Sequence, residues 1–322
     1  MDVVECTGCN RFERKPITEP TKACKQTYDN TTFIQPRLII FVMSPSYDKV
    51  SRDAVRETWG DTPEQNSGNF RVVFVVGRIK SSDLFEEAIK EGDILQLNVP
   101  DIQNAMTEKV ALCLQWFVSR CPNVEYVLKT KLEVFVNVPY IFRILMKYEL
   151  QDSIAGHCSH NLESTGRARN DKKNKYLKEI SGSHIPPYCS GNGYLLGRSA
   201  IIKLTRVFED TPYVPMDDIY MGFCAYKTNV EITDVPGFDV HYKGYDGFQF
   251  CHCVGTVPKT DAGRQREIYV QQLKDCKNSW SRGVDDLNMC FIDFNDVVMP
   301  IIIVVLSLFL ILLFSILRRK LN

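Results

Sequence analysis

The sequence predicts an α/β protein, a mostly parallel sheet with helices on both faces, followed by one C-terminal transmembrane helix. Three observations carry this. Short apolar runs alternate with segments of helical spacing between residues 38 and 128. Runs without a polar face fit strands that are covered on both sides, as in a parallel sheet. Residues 297–317 (VVMPIIIVVLSLFLILLFSIL) carry no charge over 21 positions. A helix needs roughly 20 apolar residues, at about 1.5 Å each, to cross about 30 Å of hydrocarbon.

The elements follow in order. Leu38-Ile39-Ile40-Phe41-Val42-Met43 reads as a buried strand that ends in a loop at Ser44-Pro45-Ser46. Residues 48–59 have helical spacing, and residues 71–76 (RVVFVV) form a second buried strand closed by Gly77. A charged surface helix over 81–91 leads into a strand over 93–99. Residues 104–119 place Met106, Val110, Leu112, Cys113, Trp116 and Phe117 mostly three or four apart, an amphipathic helix, before a strand at 125–128. Ligands bind such sheets beyond the carboxyl ends of strands where strand order reverses, which singles out loops 44–51 and 130–135. Residues 151–185 are polar and basic and read as a long surface loop.

The domain plan is a polar stem or tail over 1–34, a folded domain over 35–281, a linker over 282–296, the membrane helix and a basic tail over 318–322. With 322 residues the chain can bury a large core. Lys plus Arg equal Asp plus Glu at 39 each, which argues against a nucleic-acid partner. Arg318, Arg319 and Lys320 point to a cytosolic tail and a luminal main domain. Twelve cysteines and the glycosylation acceptor Asn30-Thr31-Thr32 agree with that. No apolar run in the first thirty residues serves as a signal peptide, so a cytosolic, tail-anchored arrangement stays open. Cys6-x-x-Cys9 and Cys251-His252-Cys253 match no zinc finger or ribbon spacing, and disulfides are the expected role.

Several short motifs occur in a telling order. Arg52-Asp53-Ala54-Val55-Arg56-Glu57-Thr58-Trp59 is followed by Phe74-Val75-Val76-Gly77 and Gly92-Asp93-Ile94-Leu95-Gln96. Next come the segment from Asp101 to Lys109, Tyr126-Val127-Leu128-Lys129-Thr130 and Val134-Phe135-Val136-Asn137. Pro187-Tyr188-Cys189-Ser190-Gly191-Asn192-Gly193-Tyr194 and Asp217-Asp218-Ile219-Tyr220-Met221-Gly222 complete the set. Together they resemble the β-1,3-galactosyltransferase family, glycosyltransferase family 31, over residues 38–270. The resemblance implies a GT-A nucleotide-sugar-binding sandwich. It also implies a UDP-sugar donor, a glycan acceptor on protein or lipid, inversion at the anomeric carbon, a β-1,3 linkage and a Golgi membrane setting.

Inverting transfer needs a base for the acceptor hydroxyl and positive charge for the departing diphosphate. By its place in the motif Asp218 is the expected base; otherwise Asp217 and Asp218 cap the helix that follows. Arg52 and Arg56 share a helix face and are expected either to meet the donor diphosphate or fix its loop, or to pair with nearby carboxylates. Tyr188, Gly191 and Gly193 are expected on the acceptor side, or in a plain tight turn. His252 resembles the histidine that can complete the family's metal site.

One departure stands out. Where the family carries an acidic triplet that holds a divalent cation, this chain reads Lys131-Leu132-Glu133. Three readings follow. Glu133 and His252 retain a weak Mn²⁺ site; Lys131 supplies the positive charge without metal; or the chain is inactive and acts as partner or scaffold for another glycosyltransferase.

Overall fold

The computed structural model describes residues 5–12, 14–24, 26–28, 32–60, 68–160, 162–163, 184–239 and 247–276. Two short strands, β1 (Gln26–Tyr28) and β2 (Thr32–Ile34), form a hairpin. The strands that follow are β3 (Leu38–Met43), β4 (Phe70–Arg78), β5 (Ile94–Pro100), β6 (Tyr126–Lys131) and β7 (Val134–Val136). Then come β8 (Ser153–Ser159), β9 (Leu162–Glu163), β10 (His184–Ile185), β11 (Tyr188–Gly197), β12 (Glu231–Asp234) and β13 (Thr256–Pro258).

Seven of these build the central sheet in the order β12-β8-β11-β6-β3-β4-β5. All pairings are parallel except those of β11, which runs antiparallel to both neighbours. The mostly parallel sheet expected from the apolar runs is therefore present. In β3 every residue is buried, and alternate side chains enter opposite cores: Ile39, Phe41 and Met43 one way, Leu38, Ile40 and Val42 the other. Burying each such side chain contributes roughly 1.5–3 kcal/mol.

One face is covered by α3 (Met106–Arg120), α5 (Arg198–Thr205) and α6 (Asp217–Thr228). The other carries α1 (Lys49–Glu57), α2 (Ser82–Glu91), α4 (Val138–Lys147), α7 (Gly247–Cys253) and α8 (Ala262–Cys276). Helix α1 starts one residue later than its spacing suggests, because Asp48 is its cap and accepts from the Ser51 N–H. Helix α2 is capped by Ser81 and stopped by Gly92 at φ 70°.

Three expectations are corrected. Residues 5–24 are not a free stem. The Ile17 N–H donates to Gln96 O at 2.7 Å and the Gln96 N–H to Thr18 O at 2.9 Å, so this segment lines edge strand β5. Phe12 is buried edge-on to Phe208 and Tyr220, and Cys24 is bonded to Cys121. The polar composition conceals these isolated anchors. The surface loop expected from residue 151 begins instead as strand β8, with Ser153–Gly156 buried. The turn-rich segment at Pro187 is strand β11 with a large bulge: Cys189 faces Cys158 while Tyr194 faces Gly156.

Among the described residues no helix is long and apolar enough to cross a membrane. The expected membrane helix at 297–317 and the acceptor Asn30 lie outside the described residues, as do 164–183.

Candidate active site

Strands β3, β4 and β5 progress to one side, and the chain then returns to place β6 on the other side of β3. Strand order reverses there, where nucleotides bind in open α/β sheets. Met43 and Lys131 are in register, and the Leu132 N–H donates to Met43 O at 3.1 Å. Both loops singled out from the sequence therefore meet at this point.

The loop leaving β3 is fixed by Arg52, which is 1% exposed. Its Nε and Nη2 donate to the Glu87 carboxylate at 2.8 and 2.6 Å. Its Nη1 donates to Ser44 Oγ and Pro45 O, and Nη2 also donates to Ser46 O. All five N–H groups are engaged, so Arg52 has none for a diphosphate and serves by holding the loop. Arg56 pairs with Asp53, Glu87 and Asp93 at 2.7–2.9 Å. Asp101 grips the same loop: its Oδ2 accepts the Ser46 N–H at 2.6 Å, and its Oδ1 accepts the Gly77 N–H and pairs with Lys109. A Cβ on Gly77 would lie 2.6 Å from Asp101 Cα, so this approach requires glycine.

Across the junction, Lys129 on β6 is fully buried. Its ammonium sits 2.5 Å from Asp217 Oδ2 and donates to Gly191 O at 2.9 Å. Tyr194 Oη also donates to Asp217, at 3.2 Å. Asp218, half-buried on the first turn of α6, accepts the Gly191 N–H at 3.1 Å and the Ile219 N–H at 2.9 Å. Burial raises its carboxyl above the ordinary range and the neighbouring Asp217 charge adds to this; Lys129 and the two N–H bonds oppose. Asp217 and Asp218 do not sit at the helix cap, which is Met216. The β11 bulge thus delivers Gly191 to Asp218, and it places Gly193 against Thr256, whose Cγ2 a Cβ would meet at 3.2 Å. Tyr188 is half-buried at the start of the same strand, where burial and the Asp218 charge raise its phenol.

At the replaced triplet, Lys131 Nζ donates to Asn192 Oδ1 at 3.3 Å. Leu132 is buried in the apolar cluster that contains Trp59 and Phe135. Glu133 is exposed, while His252 is buried on α7. A hard divalent cation needs several oxygen ligands around one point. An ammonium, a buried leucine and an exposed glutamate do not fit that need. Among the described residues no group of three or more His, Cys, Asp or Glu side chains could hold a metal.

Of the residues expected from the sequence, Asp218, Gly191 and Lys131 come together at the β11 bulge. Sequence reasoning missed Asp239, whose carboxylate accepts from Ser190 Oγ at 2.9 Å and Asn192 Nδ2 at 2.8 Å. A lone aspartate beyond the motifs gives no signal. It also missed Glu87, Asp101 and the Lys129–Asp217 pair, whose partners are distant in sequence.

Comparison with known proteins bears on the family. Residues 50–236 match the family model described as Galactosyltransferase. Beta-1,3-galactosyltransferase 5 of Pan troglodytes is 26% identical over 239 residues, covering 73% of this chain and 77% of that protein. The N-acetyllactosaminide beta-1,3-N-acetylglucosaminyltransferase 2 of Homo sapiens is 30% identical over 236 residues, 69% of this chain and 56% of its own length. UDP-GalNAc:beta-1,3-N-acetylgalactosaminyltransferase 1 of Sus scrofa is 25% identical over 212 residues, 64% of each chain. A match across more than half of the residues, on a sheet whose motifs converge at one strand-order reversal, identifies this chain as a member of the galactosyltransferase family of glycosyltransferases.

Proposed function

We propose that this chain is a hexosyltransferase that moves galactose or an N-acetylhexosamine from a UDP-sugar to a glycan acceptor, forming a β-1,3 linkage with inversion. The observation that carries the reading is the seat of Asp218, a carboxylate held by two backbone N–H groups beside the nucleotide end of the sheet. In this reading Asp218 takes the proton of the acceptor hydroxyl as the oxygen bonds to the anomeric carbon. The bond from that carbon to the diphosphate oxygen breaks, and UDP departs with the electron pair. The Lys131 ammonium faces the growing negative charge in place of a metal ion. No step passes through a divalent cation.

The test is UDP-sugar turnover, followed as UDP release, in EDTA and then with added Mn²⁺. Turnover that persists in EDTA and falls 10²–10⁴-fold in Asp218→Asn is the expected result. Turnover that requires Mn²⁺ would overturn the metal-free step.

Burial of Leu132 at the second carboxylate position favours one other reading, a non-catalytic partner of an active glycosyltransferase. Absence of UDP binding by calorimetry, with co-purification of a second transferase, would establish it. Either reading places the domain in the Golgi lumen on a single-pass anchor. Support comes from the bonded pairs Cys24–Cys121, Cys158–Cys189 and Cys251–Cys276, which persist in oxidising compartments. Glycosidase sensitivity at Asn30 checks this, since a glycan there requires luminal exposure.

A further inference from the structure

A metal ion is fixed by several ligands at once, whereas a lysine ammonium rides on four rotatable carbons and loses about 2 kcal/mol of rotamer freedom when held. Lys131 can replace a cation well only if something aims it. Its partner is Asn192 Oδ1 at 3.3 Å. An amide can turn either end toward a neighbour, and the group at its other end decides which. Asn192 Nδ2 donates to Asp239 Oδ1 at 2.8 Å. A carboxylate only accepts, so Asp239 takes the NH₂ end and leaves the carbonyl for the lysine.

Asp239 is itself over-determined. Its other oxygen accepts from Ser190 Oγ at 2.9 Å, and its N–H donates to Thr256 Oγ1 at 2.8 Å. Its φ is 54°, in the left-handed region that few non-glycine residues adopt. Such strain is kept where surrounding structure enforces a particular placement. The Asn192 backbone is clamped too: Thr130 Oγ1 donates to Asn192 O at 2.8 Å, and the Asn192 N–H donates to Ser190 Oγ at 3.4 Å. Asn192 lies in the β11 bulge, between the two registers of the β11–β8 ladder, so the sheet does not need its side chain. A neutral amide also holds the ammonium without cancelling its charge, as a carboxylate at the same position would.

We infer that Asp239 and Asn192 form a relay that aims the Lys131 ammonium at the donor diphosphate, with Asp239 a positioning residue acting through Asn192. The inference rests on the reading of Lys131 as the replacement for a metal ion.

The experiment is UDP affinity by calorimetry in EDTA on the full chain, with thermal melts confirming that each variant folds. Lys131→Met is expected to weaken UDP about tenfold or more, and this variant sets the scale. Asp239→Asn is expected to approach that loss, because an amide at 239 can donate to Asn192 Oδ1 and turn its NH₂ toward the lysine. Asn192→Leu should match it. The double variant Asp239→Asn/Asn192→Leu should lose no more than Asn192→Leu alone, which a merely structural Asp239 would not show. If Asp239→Asn does not fold, Asn192→Ser carries the same test from the other end. UDP affinity within twofold of wild type in Asp239→Asn, with Lys131→Met impaired, would overturn the relay and leave the Lys131 reading standing. An Asp239→Asn loss that persists in the Lys131→Met background would overturn it as well. Wild-type affinity in Lys131→Met would remove both.

Discussion

Two adjacent carboxylates, Asp217 and Asp218, meet different surroundings. The first is buried against the Lys129 ammonium, and the second accepts only backbone N–H bonds. In the proposed role of base Asp218 must be ionised, so its raised carboxyl places the acidic limb of the pH–rate profile above the ordinary aspartate range. Removing the Asp217 charge takes away one of the effects that raise it, while Lys129 still favours the anion. Asp217→Asn should therefore shift that limb to lower pH, measured as kcat against pH. At the replaced triplet, Leu132→Asp puts a carboxylate into a buried apolar cluster. It should cost about 3 kcal/mol or more, read from the urea midpoint. Restoring the family's acidic residues thus requires repacking as well as ligands. Asp218 and Lys131 were singled out by motif position alone, and both lie at the β11 bulge. The Lys129–Asp217 contact was not legible, because pairing across 88 positions leaves no local pattern.

The elements that carry the site were legible to the degree that burial was uniform along them. Strand β3 is apolar throughout because both its faces are covered, and its six letters say so. Strand β8 was concealed because Ser153, Gly156 and His157 break the run, although its two neighbours in the sheet, β12 and β11, define it better than its own composition. The β11 bulge looked like a turn, since glycines serve turns and bulges alike. Helices α1 and α2 are tied together by buried ion pairs. Glu87 on α2 answers both Arg52 and Arg56 of α1. Glu87→Ala strands a buried guanidinium and should cost about 3–5 kcal/mol in urea unfolding, with a raised donor KM as loop 44–46 loosens. Burial raises the Glu87 carboxyl, but bonds to the two arginines hold it below the ordinary glutamate range. Its contribution is therefore complete above that range and fades as pH falls through the lowered value.

At the scale of the molecule, residues 5–24 join parts that the sequence divides into stem and domain. The Cys24–Cys121 bond closes 97 residues, and chain entropy assigns roughly 4.7 kcal/mol to a loop of about 100. Cys24→Ser/Cys121→Ser should therefore lower the unfolding free energy from urea titration by about 4 kcal/mol, with a higher m-value as the unfolded chain expands. Its donor KM should hold, because Cys121 ends α3 ahead of the start of β6, whereas the site lies at that strand's carboxyl end. A chain trimmed to begin at residue 35 would also bare the β5 edge and the slot of Phe12, inviting association between copies.

The same arrangement sets an order of assembly. The Gly8 N–H donates to Asp210, 202 residues further along, and Asn10 reaches Phe208 O and Thr211 O. At roughly 5–20 residues per second of synthesis, residues 8–10 wait about 10–40 s for their partners to exist. Cys24 likewise waits for Cys121, 97 residues further along, whereas Cys9 meets its partner Cys6 at once. Residues 8–10 are thus made well before they can be placed, and they settle only once the 208–211 turn exists.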